Sequence, residues 1–219
     1  LSPAPLCVRQ QDADDDGQPE WIGLYFQTEQ PAGLFGYVFD GGTQHALAPP
    51  EGEEIESLGT YPTCEIEVRD LNADGRAEIA VWGHAEGTTD LLHIFVWDGS
   101  HYALLGSFEG KGGVRLEDAD GDGIEDVVLR LRPEGDLVRE IVYTWDGTYY
   151  AWTWDRYSWF FPDRPHTYVT DTPLHAVGSF YLALNDRDLP GAYDLLSPAA
   201  QTTRPYAEWA LGFATTLSV

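Results

Sequence analysis

The sequence is poor in basic residues and in cysteine, and it contains no methionine. Only 12 of its 219 residues are Lys or Arg, against 37 Asp or Glu, and the formal net charge is −25. We therefore expect no nucleic-acid partner, since such binding needs a basic surface. Because methionine is absent, we expect the sequence to begin after a removed leader or at a cut in a longer chain.

Long apolar runs and catalytic signatures are also missing. No apolar stretch approaches the roughly 18 residues of a membrane helix, so we expect no membrane span. The six histidines form no H-E-x-x-H pair, and no G-x-S-x-G elbow occurs. The sequence therefore indicates a non-enzymatic protein, with no recognisable catalytic residue.

What the sequence does contain is an acidic nonapeptide that occurs three times. It has oxygen-bearing side chains at positions one, three, five and nine, and glycine at position six. This spacing suits a hard cation, because alternate side chains of a tight loop turn inward and glycine permits the sharp turn. The predicted side-chain ligands are Asp12, Asp14, Asp16 and Glu20; Asp70, Asn72, Asp74 and Glu78; and Asp118, Asp120, Asp122 and Asp126.

The main chain is expected to supply a further ligand at position seven of each loop. Those carbonyl ligands are predicted at Gln18, Arg76 and Ile124. Carboxylate and carbonyl oxygens, six to eight in number, are what Ca²⁺ prefers. We therefore predict three Ca²⁺ sites with a structural role, and we expect the second to be the weakest because Asn72 is neutral.

A second marker follows each loop at a fixed distance. An aromatic residue and then Asp-Gly occur in all three cases, with the aspartates Asp40, Asp98 and Asp146 each 28 residues after the first loop aspartate. A fixed internal spacing is the signature of a repeat architecture. Apolar runs between these markers predict four short strands per repeat. The predicted strands are 6–11, 21–28, 34–39 and 44–48; 64–69, 78–83, 91–97 and 102–107; and 114–117, 127–132, 140–145 and 149–154.

These loops and strands resemble the FG-GAP or VCBS-type repeats of integrin-α-like β-propellers. The resemblance implies blades of four antiparallel strands with Ca²⁺ between the first and second strands, and a role in extracellular binding or adhesion. We expect a mainly β fold within residues 1–162, with three propeller-like blades at about 6–50, 64–108 and 113–155. Closed propellers typically have four to eight blades. Missing sequence, self-association or another partner would complete a ring; an open stack is the alternative.

The pattern becomes helical in residues 167–219. Thr172-Pro173 begins a predicted helix, and shorter helices are predicted at 189–196 and 205–215. The apolar stripe of the first helix is Ala176, Val177, Phe180, Tyr181 and Leu184. The segment loosely resembles the helical start of an NTF2-like domain. That resemblance implies a small-ligand binder or an enzyme whose pocket lies in a domain incomplete in this chain, as the alternative to a binding or scaffold module.

Cys7 and Cys64 lie just ahead of the first and second loops. They precede the first loop aspartate by five and six residues, and the difference of one residue places them on opposite faces of equivalent strands. A cross-link between neighbouring sheets requires that arrangement, so we predict a disulfide; two buried free thiols are the alternative. A disulfide and low-affinity calcium loops both favour a secreted, periplasmic or cell-surface location.

A dense aromatic run spans residues 143–161. Such side chains either fill the core between sheets or form a platform for a carbohydrate ligand. The platform interpretation fits best at 159–161, past the last predicted strand. A protein ligand is the other expected class of partner.

Overall fold

The computed structural model describes residues 4–29, 32–48, 57–87, 89–131, 137–159 and 168–214. Its contacts divide the chain into two units. The β unit comprises Leu1–Arg132 and Arg139–Arg156, and the C-terminal unit comprises Pro133–Val138 and Tyr157–Val219.

Within the described residues, twelve strands form three four-stranded antiparallel sheets, as predicted. Each sheet keeps its strands in chain order. The strands are β1 (Cys7–Gln11), β2 (Glu20–Gln27), β3 (Gly33–Asp40) and β4 (Thr43–Leu47); β5 (Glu65–Arg69), β6 (Glu78–His84), β7 (Asp90–Trp97) and β8 (Tyr102–Gly110); and β9 (Val114–Glu117), β10 (Asp126–Leu131), β11 (Leu137–Trp145) and β12 (Tyr150–Trp159). The strands β8, β11 and β12 are longer than the sequence predicts.

The second sheet packs with a different face on each neighbour. Ile79 and Val81 of β6 lie in one buried cluster with Ile22 of the first sheet. Ala80, the residue between them, lies in a second cluster with Val127 of the third sheet. Successive side chains of a strand point to opposite faces, so the continuous apolar run of β6 reflects a sheet that is covered on both sides.

The Asp-Gly markers form the turns between the third and fourth strands. In the second sheet, Asp98 Oδ1 accepts hydrogen bonds from the amides of Ser100 and His101, at 2.8 and 2.9 Å. Asp146 makes the equivalent pair of bonds in the third sheet. The glycine that follows each of these aspartates has a φ near +98°, which glycine adopts at little cost. The fixed spacing along the sequence is therefore the combined length of the acidic loop, the second and third strands and the connection between them.

A disulfide joins the first and second sheets. Cys7 of β1 and Cys64, just before β5, are bonded with their Cα atoms 5.7 Å apart. Farther along the same strands, the Gln11 side chain donates a hydrogen bond to the Val68 carbonyl at 2.6 Å. The first strands of the two sheets are thus held together by a covalent and a polar link.

The C-terminal unit contains helices, the first three of which begin with a side-chain cap. Its helices are α1 (Pro173–Asn185), α2 (Leu189–Asp194), α3 (Pro198–Thr203), α4 (Tyr206–Ala210) and a 3₁₀ turn (Leu211–Phe213). Thr172 caps α1 by accepting the His175 amide, and proline follows each of the first three caps, where its missing N–H has no cost. Trp209 and Ala192 lie at the centre of the helical core.

The predicted apolar stripe of α1 is partly wrong. Val177 and Tyr181 are 57% and 49% exposed, whereas Ser179 and Leu182 are buried. The helix is rotated because the Ser179 hydroxyl lies between two partners: it accepts from Trp159 Nε1 at 2.8 Å and donates to the Val169 carbonyl at 2.7 Å. None of the helices in the described residues is both long enough and apolar enough to cross a membrane.

Candidate metal centres

The three acidic loops join the first and second strands of the three sheets, and they share one backbone conformation. The residue at position four and the glycine at position six have positive φ in every loop. These residues are Asp15 and Gly17, Ala73 and Gly75, and Gly121 and Gly123. Three sequences with different side chains at position four therefore fold into the same turn.

The side chains of each loop hydrogen-bond to the loop's own backbone in the same pattern. The glycine amide at position six donates to the first aspartate at 3.0–3.1 Å, in the pairs Gly17–Asp12, Gly75–Asp70 and Gly123–Asp118. The amide at position seven donates to the side chain at position five, in the pairs Gln18–Asp16, Arg76–Asp74 and Ile124–Asp122. These bonds draw the oxygen-bearing side chains toward the inside of the turn.

The acidic residue at position nine is buried in each loop. Glu20, Glu78 and Asp126 are at most 1% exposed. Each accepts the backbone amide of position two, at 2.6, 2.8 and 2.9 Å. Burial raises the pKa of Glu20, raises that of Glu78 to about 7 and raises that of Asp126 to about 6, and neighbouring carboxylates add to the effect. The ionised form at position nine is therefore costly unless a positive charge compensates it.

The first loop gathers four carboxylates. Oxygens of Asp12, Asp14, Asp16 and Glu20 all lie within 4.8 Å of one another. Glu20 Oε1 is buried and has no hydrogen-bond partner. A buried unsatisfied oxygen is unusual in a folded protein, and a cation at the centre of this group would satisfy it.

The third loop gathers three of its four predicted side-chain ligands. Oxygens of Asp118, Asp120 and Asp126 lie within 4.8 Å of one another. Asp122 is not brought into that group, although its Oδ1 accepts the Ile124 amide at 2.8 Å. These two groups of carboxylates could each hold a metal ion.

The second loop does not gather three carboxylates within the same distance in the described part of the chain. The Asn72 side-chain amide donates to Glu78 Oε1 at 3.1 Å, and Arg76 Nη2 lies 2.9 Å from Asp74 Oδ2. Partial burial opposes ionisation of Asp74, but the hydrogen bonds from Arg76 outweigh it and its pKa is lowered. In the second loop a guanidinium thus takes up one oxygen of Asp74, and an amide takes up one oxygen of Glu78.

A cavity of about 560 Å³ lies among the first strands of the three sheets, within the range of small-ligand pockets. Three arginines line it, one from each sheet, and so do three carboxylates. The arginines are Arg9, Arg69 and Arg115, and the carboxylates are those of Glu65, Glu67 and Asp90. Arg69 and Arg115 are paired with glutamates, whereas Arg9 makes no ion pair among the described residues. Sequence patterns gave no signal for this cavity, because its residues come from three separate repeats.

The proposed carbohydrate platform at 159–161 is not supported at Trp159. This residue is 8% exposed, in a small cluster with Val169 and Leu182, so its face is unavailable for stacking. Residues 160 and 161 lie outside the described residues. The core interpretation is also correct for Tyr150, which is 6% exposed between the second and third sheets.

The chain matches no protein-family model and has no significant similarity to any curated protein.

Proposed function

We propose that the protein is a calcium-stabilised binding or scaffold module that works outside the cytoplasm and is not an enzyme. The observation that carries the proposal is the first loop, where the buried, unpartnered oxygen of Glu20 accompanies three aspartates within 4.8 Å. Carboxylate oxygens alone favour Ca²⁺ over the softer transition metals. The disulfide supports an oxidising location, which is secreted, periplasmic or at the cell surface.

Each Ca²⁺ would be held mostly by its own loop. The side chains at positions one, three, five and nine and the carbonyl at position seven would supply the ligands, the carbonyls being those of Gln18, Arg76 and Ile124. Little of the coordination would be left for a substrate, so the ions have a structural role. Their contribution is to neutralise carboxylates that otherwise repel one another.

The experiment is thermal unfolding in calcium and in EGTA. If calcium is present at about 100 times Kd, each independent site adds about 2.7 kcal/mol to the free energy of unfolding. Glu20→Gln keeps the shape of the side chain but removes its charge, so it should abolish the calcium response of the first loop. Glu109→Gln removes one charge from an exposed position on β8 and should leave the response intact. A melting temperature that does not differ between calcium and EGTA would contradict the proposal.

The FG-GAP or VCBS-type repeats that the chain resembles would give this module its architecture, and they are compatible with a binding or scaffold function. In that architecture the sheets are blades, and a ring is completed by further blades. A ligand of such a module is a protein or a carbohydrate. The NTF2-like resemblance of the C-terminal unit stays a prediction, and no contact in the described helices favours a pocket there.

The cavity of the β unit favours a second candidate, the binding of a small polar ligand that carries an anionic group. Arg9 would be its contact, because the other two arginines of the cavity are engaged by glutamates. The test is a thermal-shift screen of small carboxylates and phosphates in calcium, with the wild type and Arg9→Gln. A hit that disappears in Arg9→Gln supports this candidate, and a screen without hits contradicts it.

A further inference from the structure

Neighbouring acidic loops are joined by hydrogen bonds at the same repeat position. Ala77, at position eight of the second loop, donates its amide to Asp15 Oδ2 of the first loop at 3.2 Å. Glu125, at position eight of the third loop, donates its amide to the Leu71 carbonyl of the second loop at 3.0 Å. The second and third loops are therefore each held at position eight by the loop that precedes them in the sequence.

The amide of position eight belongs to the same peptide group as the carbonyl of position seven. In a trans peptide the N–H and C=O bonds point in opposite directions. A partner that holds the Ala77 amide therefore also fixes the direction of the Arg76 carbonyl, which is the proposed main-chain ligand. Glu125 and Ile124 stand in the same relation in the third loop.

The first loop differs at this position. Its eighth residue is Pro19, which has no N–H. The first loop is therefore the one loop of the three in which the carbonyl at position seven cannot be held by an amide bond to a neighbour. It is also the loop that gathers four carboxylates without such support.

Asp15 adopts the left-handed backbone conformation, as Ala73 does at the same position of the second loop. Its φ is +63°, a region that favours glycine, and the equivalent residue of the third loop is Gly121. Asp15 is not one of the ligands expected from the nonapeptide pattern. What it contributes is the carboxylate that contacts the second loop.

We propose that Asp15 is a positioning residue for the second cation site, and that the three sites are coupled in series. An ordered first loop holds the Arg76 carbonyl through Asp15, and an ordered second loop holds the Ile124 carbonyl through Leu71. Glu78 lies on the same path, because its carboxylate accepts the Leu71 amide at 2.8 Å. The second loop gathers the fewest carboxylates, so it depends most on this support. The inference rests on the proposed calcium function.

The test is a calcium titration followed by ¹⁵N–¹H NMR, with the amides of Gly17, Gly75 and Gly123 each reporting on its own loop. Asp15→Gly removes the acceptor and gives the residue that the third loop already has at this position. Asp15→Asn removes the same charge but keeps an acceptor oxygen, so it is the matched control. We expect Asp15→Gly to raise the calcium midpoint at Gly75 about fivefold above that of Asp15→Asn, with a change of less than about twofold at Gly17.

Hydrogen exchange of the Ala77 amide gives a readout that does not depend on calcium. It should be protected in the wild type and in Asp15→Asn, and unprotected in Asp15→Gly. Equal midpoints at Gly75 in the two variants would overturn the inference, as would an equal shift at Gly17 and Gly75. If no glycine of the wild type responds to calcium, the proposed function itself fails.

Discussion

Glu140 of the β unit pairs with three arginines. Its oxygens lie 2.8 Å from Arg115 and 3.1 Å from Arg130, and it also pairs with Arg156. Partial burial opposes its ionisation, but the hydrogen bonds from Arg115 and Arg156 outweigh this and lower its pKa to about 2. No motif in the sequence indicates this network, because its members come from β9, β10, β11 and β12.

Replacement of Glu140 by Gln should lower the free energy of unfolding by about 2–3 kcal/mol in urea denaturation. The value lies below the 3–5 kcal/mol of a fully buried pair, since the three arginines remain about one-third exposed. The folded pKa is below the usual 4.5, so this stabilisation is present above pH 4.5 and is lost as the pH falls toward 2. Glu109→Gln serves as the control, and equal stability of the two variants would refute the assignment.

His93 should make stability depend on pH over a higher range. It is 2% exposed, and burial lowers its pKa from 6.5 to about 4. Between those values the unfolded chain binds a proton that the folded protein does not, so the free energy of unfolding falls as the pH is lowered from about 6.5 to 4. The slope reaches about 1.4 kcal/mol per pH unit.

The measurement is the difference between the wild type and His93→Gln at fixed calcium, because carboxylates also titrate in this range. The variant should lose the slope between pH 6.5 and 5 that the histidine contributes. If the free energy of unfolding varies with pH in the same way for the two proteins, burial does not keep His93 neutral.

At the scale of elements, the disulfide should be the strongest link between the first two sheets. It closes a loop with a sequence separation of 57 residues, and constraint of the unfolded chain is worth about 2–4 kcal/mol. Reduction, or replacement of both cysteines by serine, should lower the free energy of unfolding by that amount. The serine variant should then be insensitive to reductant. Two free thiols per chain, titrated in denaturant without reductant, would contradict the bond.

The sheets and the acidic loops could be predicted from the sequence, because the residue patterns that specify them are local. β-Branched runs, Asp-Gly turns and glycine at position six each act within a few residues, and the strands lie close to their expected bounds. The buried face of α1 could not be predicted, since the hydrogen bond between Ser179 and Trp159 overrides its apolar periodicity. That the second site is the weakest, as expected from Asn72, stays a prediction. The pairing of Arg76 with Asp74 could not be predicted, because it depends on a conformation that the nonapeptide pattern does not specify.

At the scale of the molecule, the three sheets repeat the same way of packing. The first residue after each loop faces the preceding sheet in the second and third repeats, where Ile79 and Val127 are fully buried. In the first repeat the equivalent residue is Trp21, which is 51% exposed. Val8 on β1 is 46% exposed. It lies on the same face as Trp21, because it pairs with Gly23, which is two residues along β2 from Trp21. The surface of Trp21 and Val8, called here the open face, is thus of the kind that a sheet covers elsewhere in the protein.

We expect the open face to be covered by self-association or by a partner that extends the stack of sheets. The prediction is that the wild type forms a concentration-dependent oligomer in calcium, measured by analytical ultracentrifugation, and that Trp21→Lys is monomeric. The charge of −25 opposes association, so the oligomer should become more stable as the salt is raised from a low concentration to about 0.15 M, where the Debye length is about 8 Å.

The control is Leu174→Lys, because Leu174 is another apolar residue and is 73% exposed. This variant should associate as the wild type does. If the wild type stays monomeric at every concentration and salt, self-association through the open face is excluded. If Leu174→Lys also dissociates, the effect comes from added charge and the open face is not the interface.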